Sequence, residues 1–166
     1  MVDSHIRPLK IKEITHDRKQ IEQYWIGGAR LWGSQIKVPL EYYERQGRVY
    51  GCFDAEGEMV GGYVLVENGP LRCYQFLPDH IRKGGPVIGN ITEDQLIEIS
   101  GVWFYSRSRN QFASWGIWRH LVKSVIEFGK PYVIFGFNGA HGSTPFSGLG
   151  GLARRPGRAK RAPSSR

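Results

Sequence analysis

A run of small and basic residues over 107–117 is the segment of this chain best suited to chemistry. It reads Arg-Ser-Arg-Asn-Gln-Phe-Ala-Ser-Trp-Gly-Ile and joins a strand-like segment to a helical one. Free backbone N–H groups and the positive end of a helix dipole bind anions, and Arg107 and Arg109 would add charge for a phosphate. A plainer interpretation is that Asn110 or Ser114 only caps the helix.

Several sharper signatures are absent from the sequence. It has no Walker-type phosphate loop, no His-Glu-x-x-His, no Gly-x-Ser-x-Gly and no paired Cys-x-x-Cys. Residues 148–153 match Gly-x-Gly-x-x-Ala, but no strand precedes them, so the context of a dinucleotide site is missing. Cys52 and Cys73 lie among strand-like residues and are interpreted as packing residues. No metal site is predicted.

Length and charge indicate one globular domain of residues 1–150 and a disordered basic tail of residues 151–166. The chain has 166 residues and a net charge of +8. The tail carries six of the basic side chains and no acid, which leaves +2 on residues 1–150. No long apolar run or signal-like start is present, so we expect a cytoplasmic protein with no membrane contact.

The elements that would position the 107–117 segment follow from hydrophobic periodicity and turn residues. In chain order they are a strand (9–14), a helix containing Gly27-Gly28 (17–32), a short helix (39–46), two antiparallel strands (48–53 and 59–66), a long connection with little regular structure (68–93), a central strand (96–105), a helix (115–128) and a strand buried on both faces (131–137). The last two strands are joined by a helix and should be parallel.

Alternation and helical spacing assign faces to the central strand and the helix after it. One face of the strand should carry Ile97, Ile99, Gly101, Trp103 and Tyr105, and the other Glu98, Ser100, Val102 and Phe104, with a bulge at Gly101. The helix should bury Trp115, Trp118, Leu121, Val122, Val125 and Ile126, and expose Arg119, His120, Lys123 and Glu127.

This order of elements, with the sequence Gln111-Phe112-Ala113-Ser114-Trp115-Gly116, resembles the GNAT superfamily of N-acyltransferases. In that family a Gln/Arg-x-x-Gly-x-Gly/Ala turn binds the coenzyme A pyrophosphate. The resemblance covers about residues 8–138, and this chain has Ser114 where the family has its first glycine. It implies an α/β (α+β) fold with a mixed central sheet, flanking helices and the order β-α-α-β-β-β-α-β.

The resemblance also implies an activity and its residues. The protein would transfer an acyl group from acetyl-CoA, or another acyl-CoA, to an amine on a small molecule, a protein or a nucleic acid. The expected cofactor-binding residues are Val102, Trp103, Phe104 and Tyr105 for the pantetheine arm, Gln111, Ser114, Trp115, Gly116 and Ile117 for the pyrophosphate, and Asn138. The helices over 17–46 and the connection 68–93 would shape the acceptor pocket, with Arg72, Tyr74 and His80 as possible polar contacts.

Two residues are candidates for catalysis. Glu98 matches the position of the general base of many family members, although a solvated strand carboxylate is an equal alternative. The family's acidic Tyr has no counterpart, and His141 is a possible substitute proton donor. The resemblance further implies that the family's final strands are replaced or truncated, for example by a frame change near Pro145.

Other functions remain open. The basic tail and the aromatic residues would suit a nucleic-acid-binding protein, with weak phosphate contact through residues 151–166. Residues 110–119 and 140–142 faintly resemble phage DNA-modifying relatives of the GNAT enzymes, and residues 60–63 and 98–100 faintly resemble acyl-homoserine-lactone synthases. A catalytically degenerate GNAT-like domain is the third alternative, favoured by Ser114 and the missing Tyr.

Overall fold

The computed structural model describes residues 9–32, 38–86, 88–105, 111–136 and 153–154. Its strands are β1 (Lys10–Glu13), β2 (Gly47–Phe53), β3 (Met59–Val66), β4 (Leu96–Phe104), β5 (Tyr132–Phe135) and β6 (Ala153–Arg154). Its helices are α1 (Arg18–Trp32), α2 (Leu40–Gln46), α3 (Arg72–Gln75), α4 (Asp79–Gly84) and α5 (Gln111–Phe128). The order expected from the sequence is confirmed. None of the described helices is long and apolar enough to cross a membrane.

The connection over 68–93 departs from its prediction. It contains the short helices α3 and α4, and a 3-10 turn at Glu93–Gln95 leads into β4. Pro78 is the N-cap residue of α4, where its φ of −54° is within the range that the proline ring fixes. The expectation of little regular structure was therefore wrong, and α3 brings its residues against the sheet.

The strands form one mixed sheet in the order β1-β2-β3-β4-β5-β6. Neighbours pair antiparallel except β4 and β5, which are parallel as predicted. Only Ile134 of β5 is buried, and the other three residues are half-buried, so this strand is not covered on both faces as expected. Strand β6, which pairs with β5, lies within the segment assigned to the tail; the rest of residues 151–166 lies outside the described residues.

Helices cover the sheet on two sides. On one side Ile21 and Tyr24 of α1 and Tyr43 of α2 join a buried cluster with residues of β2, β3 and β4. On the other side Leu121 of α5 packs against a second cluster that includes Tyr63 and other residues of the same strands. Burial of these apolar side chains from both faces holds the sheet between two layers.

A bulge at Gly101 reverses the faces of β4. Gly101 has a φ of 61°, a left-handed value that favours glycine, and the β3–β4 register shifts between Gly62 and Val64. Leu96 and Glu98 therefore share a face with Trp103 rather than with Val102. The predicted bulge is present, but the predicted faces are wrong beyond it because the extra residue inverts the alternation.

Gly27 of α1 leaves the space that the Trp103 ring occupies between α1 and the sheet. A Cβ atom built on Gly27 would lie 2.3 Å from the Trp103 ring. The Trp103 side chain is 3% exposed and packs 5.7 Å from Tyr24, measured between ring centroids. Tyr24 in turn donates its hydroxyl hydrogen bond to the Gly101 carbonyl and so links α1 to the bulge.

The buried face of α5 differs from its prediction. The helix buries Ile117 and Leu121 at 3% exposure. Four residues expected to be buried are instead exposed: Trp115, Trp118, Val122 and Ile126. The sequence carries two apolar stripes on α5, and the sheet takes only one of them.

His120, predicted to face solvent, is turned toward the sheet. Its Nδ1 lies 2.6 Å from the Tyr63 hydroxyl and 3.5 Å from that of Ser124. Burial lowers the pKa of His120 below its ordinary value, and the charge of Lys123 adds to this. A neutral imidazole accepting the Tyr63 hydrogen bond fits this setting.

Candidate functional site

Strands β4 and β5 separate after a short parallel contact. They pair from Leu96 with Tyr132 to Ile99 with Phe135. Strand β4 then continues through the bulge to Phe104, paired with β3 on its other side. Among the described residues nothing pairs with β4 on the β5 side beyond Ile99. We use the term "fork" for this opening, which lies between β5 and the part of β4 from Ser100 to Phe104.

The predicted pantetheine-binding residues lie along the fork. The Tyr105 N–H donates to the Val60 carbonyl, 2.9 Å away, so this amide is already used by β3. Because backbone groups alternate in direction along a strand, the N–H and C=O of Phe104 point away from β3, into the fork. Val102 and Trp103 belong to the same stretch of β4.

The segment expected to form an open turn is helical from Gln111 onward. The first turn of a helix leaves its N–H groups unpaired, whereas later ones donate to carbonyls four residues earlier. The amides of Trp115, Gly116 and Ile117 are therefore engaged within α5, and free amides belong to the residues around Gln111. The side chains of Gln111 and Ser114 lie outside what the structure describes, as do residues 106–110.

Gly116 and Trp115 lie on the solvent side of this helix start. Within the described part of the chain a Cβ atom added at Gly116 would meet nothing within 4 Å, and Trp115 is 71% exposed. Ile117, by contrast, is buried, with 3% of its surface exposed. No described residue therefore covers α5 at Gly116, in its second turn.

Glu98 is a fully buried carboxylate on β4, one residue before the strands part. Its Oε2 accepts a hydrogen bond from the Cys73 N–H at 2.8 Å, and among the described residues its Oε1 has no partner at normal hydrogen-bond distance. Burial raises the pKa of Glu98 above its ordinary value, and the Cys73 amide and the Arg72 charge offset part of that rise. The Ser100 hydroxyl and the Cys73 thiol also lie near enough to the carboxylate to offset part of this rise in pKa. The interpretation of Glu98 as a solvated carboxylate is therefore wrong.

Residues of α2 and α3 surround this carboxylate. The Arg72 guanidinium lies 5.5 Å from the centre of the Tyr42 ring and 5.9 Å from that of Phe76. The Tyr42 hydroxyl is buried and has no hydrogen-bond partner among the described residues, and burial and the charge of Glu98 raise its pKa. Glu98 and Arg72 influence one another without forming an ion pair.

Cys73 connects the carboxylate to the fork. Its thiol would lie 3.2 Å from a Cβ atom on Gly136, the residue after β5, and the Gly136 amide interacts with it. Burial and the neighbouring Glu98 raise the pKa of the Cys73 thiol to about 12, so it stays protonated at neutral pH. Cys52 is fully buried in the sheet.

The sequence anticipated part of this cluster. Glu98 and Arg72 were singled out and are brought together, whereas Tyr42 was missed and Cys73 was read as packing alone. Tyr74 donates to the Ile91 carbonyl at 3.4 Å instead of facing Glu98. His80 lies on the exposed helix α4. The expected site residues Asn138 and His141 lie outside the described residues.

Comparisons with known proteins identify the fold. No protein-family model matches the chain, and no curated protein is similar to it. A crystal structure of a GNAT-family acetyltransferase from Staphylococcus aureus Mu50 superposes with a TM-score of 0.52 and 13% identity, covering 78% of this chain and 72% of that one.

Two further solved structures match with lower scores. A proposed acetyltransferase from Acinetobacter baylyi ADP1 has a TM-score of 0.45 and 11% identity, over 78% of this chain and 68% of that one. One from Exiguobacterium sp. 255-15 has a TM-score of 0.42 and 5% identity, over 80% of this chain and 78% of that one. Strand order, the parallel β4–β5 pair and the Staphylococcus aureus match agree that the chain has the fold of a GNAT-family acetyltransferase.

Proposed function

We propose that this protein is an N-acyltransferase that moves an acyl group, with acetyl as the first candidate, from coenzyme A to an amine. The observation that carries the proposal is the fork. A GNAT-type sheet parts beside a buried carboxylate and exposes a strand edge to which an amide-bearing cofactor arm can bond. The fold alone would not identify an activity.

The fork suits the pantetheine arm of coenzyme A. That arm contains two amide groups, which would pair with the backbone groups of β4 that point into the fork, those of Phe104 among them, in the manner of an added strand. Helix α5 begins next, and its first-turn amides around Gln111 would hold the pyrophosphate at the positive end of the helix dipole. The open space beside Gly116 leaves room for this approach. Asn138 remains a proposed contact.

Acyl transfer needs a neutral amine and a fixed thioester. In the proposed reaction Glu98 takes a proton from the acceptor ammonium, directly or through water. The nitrogen then attacks the thioester carbon, so that a C–N bond forms and the C–S bond breaks. The sulfur leaves as a thiolate and is protonated, with His141 as the proposed donor, and the nitrogen releases its second proton to water. The raised pKa of Glu98 brings its basicity closer to what proton removal at neutral pH requires.

Calorimetric titration with acetyl-CoA tests the binding part of the proposal. Gly116→Asp introduces a negative charge one turn into α5, and we expect it to weaken binding by roughly tenfold if the pyrophosphate binds at the helix start. Gly116→Ala is the matched control and should bind like the native protein. Absence of acetyl-CoA binding to the native protein, or equal effects of Asp and Ala, would contradict the proposed site.

The basic residues of 151–166 favour a second candidate function, contact with nucleic acid. Phosphate contacts release counterions, so such binding weakens steeply with added salt. Titration of a short DNA duplex at two salt concentrations, with and without residues 155–166, separates this activity from coenzyme binding. A degenerate domain would bind acetyl-CoA and transfer nothing.

A further inference from the structure

The cluster beside the fork contains a cation, Arg72, that forms no ion pair with any described carboxylate. The Arg72 guanidinium rests on the rings of Tyr42 and Phe76, and within the described part of the chain it makes no ion pair. By contrast, Arg82, the other arginine of the 68–93 connection, pairs with Asp79 on its own helix. Aromatic surfaces hold a guanidinium in place while its N–H donors stay available.

Glu98 supplies the opposite charge in the same cluster. Among the described residues its buried Oε1 has no partner at normal hydrogen-bond distance, although its Oε2 is held by the Cys73 amide and the Ser100 hydroxyl lies near the carboxylate. Arg72 is the residue before Cys73, and its charge is near enough to Glu98 to offset part of the rise in pKa that burial causes in that carboxylate, although no ion pair joins the two among the described residues. A buried carboxylate oxygen without a partner is costly, and a bound group that donates to it would remove that cost.

The pairing limits which amines fit. An acceptor whose only charge is its ammonium would be attracted by Glu98 and repelled by Arg72. An acceptor that also carries a carboxylate satisfies both, since a guanidinium binds a carboxylate through two parallel hydrogen bonds. The unpartnered Tyr42 hydroxyl is a further donor for that carboxylate.

We propose that the acceptor is an amine bearing a carboxylate, of the amino-acid type, with its ammonium at Glu98 and its carboxylate at Arg72. This inference rests on the proposed N-acyltransferase activity. Arg72 is then a specificity-determining residue that contacts the substrate, and Glu98 is the group that takes the proton.

The test measures coenzyme A release with acetyl-CoA and matched pairs of acceptors, namely free L-amino acids and their C-terminal amides. We expect the best free amino acid to have a kcat/KM at least tenfold above that of its amide. Arg72→Gln should raise KM for the acid by roughly 10–100-fold with little change in kcat, and so remove the preference. Arg72→Lys should restore part of it.

Arg82→Gln is the matched control, because it removes a cation of the same connection that lies on a different helix. It should leave the acid-to-amide ratio unchanged, and a urea midpoint confirms that each variant is folded. Equal use of acids and amides by the native protein, or an unchanged ratio in Arg72→Gln, would overturn the acceptor assignment and leave the proposed transferase intact. Failure to transfer to any amine would overturn both.

Discussion

The indole ring of Trp103 fills the space in which a side chain on Gly27 would lie. A Cβ atom built on Gly27 would be 2.3 Å from this ring. A glycine inside a helix costs stability relative to alanine. Here that cost lets α1 approach the sheet closely enough to cover the residues that follow the bulge.

Gly27→Ala is therefore expected to destabilise the protein by about 1–3 kcal/mol, because the added methyl group must displace a packed ring. Gly116→Ala is the same change in a helix with open space around it, and it should stabilise the protein by about 0.5–1 kcal/mol. Urea denaturation of both variants measures the contrast. A stabilising effect of Gly27→Ala would show that α1 does not lie against Trp103.

Leu121 and Val122 are adjacent on α5 but point to different sides. Leu121→Ala should cost about 2–5 kcal/mol, because Leu121 is 3% exposed in the second buried cluster. Val122→Ala should change stability by less than about 0.5 kcal/mol, because Val122 is 52% exposed. The free energies of unfolding of the two variants are compared by urea titration. Similar losses for the two would mean that α5 buries the stripe expected from its sequence.

His120 should make stability depend on pH. Its pKa is lowered in the folded protein, so the unfolded chain binds more protons as pH falls through the ordinary histidine range. The stabilising contribution is present above about pH 6.5 and is lost below it. His120→Gln keeps an acceptor for Tyr63 but cannot titrate, and its urea midpoint should fall less between pH 7.5 and 5.5. Parallel curves for the two proteins would contradict this.

Glu98 should act with the opposite sign. Its pKa is raised above 4.5, so the folded protein holds its proton more tightly than the unfolded chain does. Stability from this group is present at low pH and is lost as pH rises above 4.5 through the folded pKa. The stability of Glu98→Gln relative to the native protein should therefore increase from pH 4.5 to 7.5 in urea titrations. A difference that is independent of pH would show that Glu98 titrates as it does in water.

The same variant tests the proposed chemistry. Glu98→Gln should lower kcat for acetyl transfer by roughly 10²–10⁴-fold, because the remaining amide cannot take a proton from the acceptor. The Kd of acetyl-CoA measured by calorimetry should stay within about twofold, since Glu98 lies beside the fork and not on its open edge. Glu98→Asp is a useful companion, because partial activity there would support a proton-accepting role. If Glu98→Gln had the kcat of the native protein, Glu98 would not be the group that takes the proton.

The positions of most helices and strands could be predicted from local sequence patterns. The sides that β4 and α5 bury could not. Strand β3 runs from Met59 to Val66 as predicted, because a β-rich run between turn residues is a local signal. The faces of β4 depend on Gly101, where one extra residue inverts the alternation. The orientation of α5 depends on which of two apolar stripes fits the sheet. Both are tertiary choices that periodicity alone leaves open.

The candidate site shows the same limit. Glu98 could be recognised through the family resemblance, but its burial depends on Cys73, 25 positions earlier in the chain. Tyr42 comes from α2 and carries no motif of its own. A cluster assembled from three separate segments has no spacing signature in the sequence.

Because of the bulge at Gly101, the packing of β4 depends on the exact number of residues in this strand. Removing that single glycine would restore strict alternation along β4, which would send Trp103 to the α5 layer and leave the Tyr24 hydroxyl without its acceptor carbonyl. A substitution in this strand changes the contacts of one side chain. Deletion of one residue would instead exchange the two faces of the strand for every residue from the bulge to Phe104. A change in length is therefore expected to disrupt this part of the strand more than the substitution of one residue does.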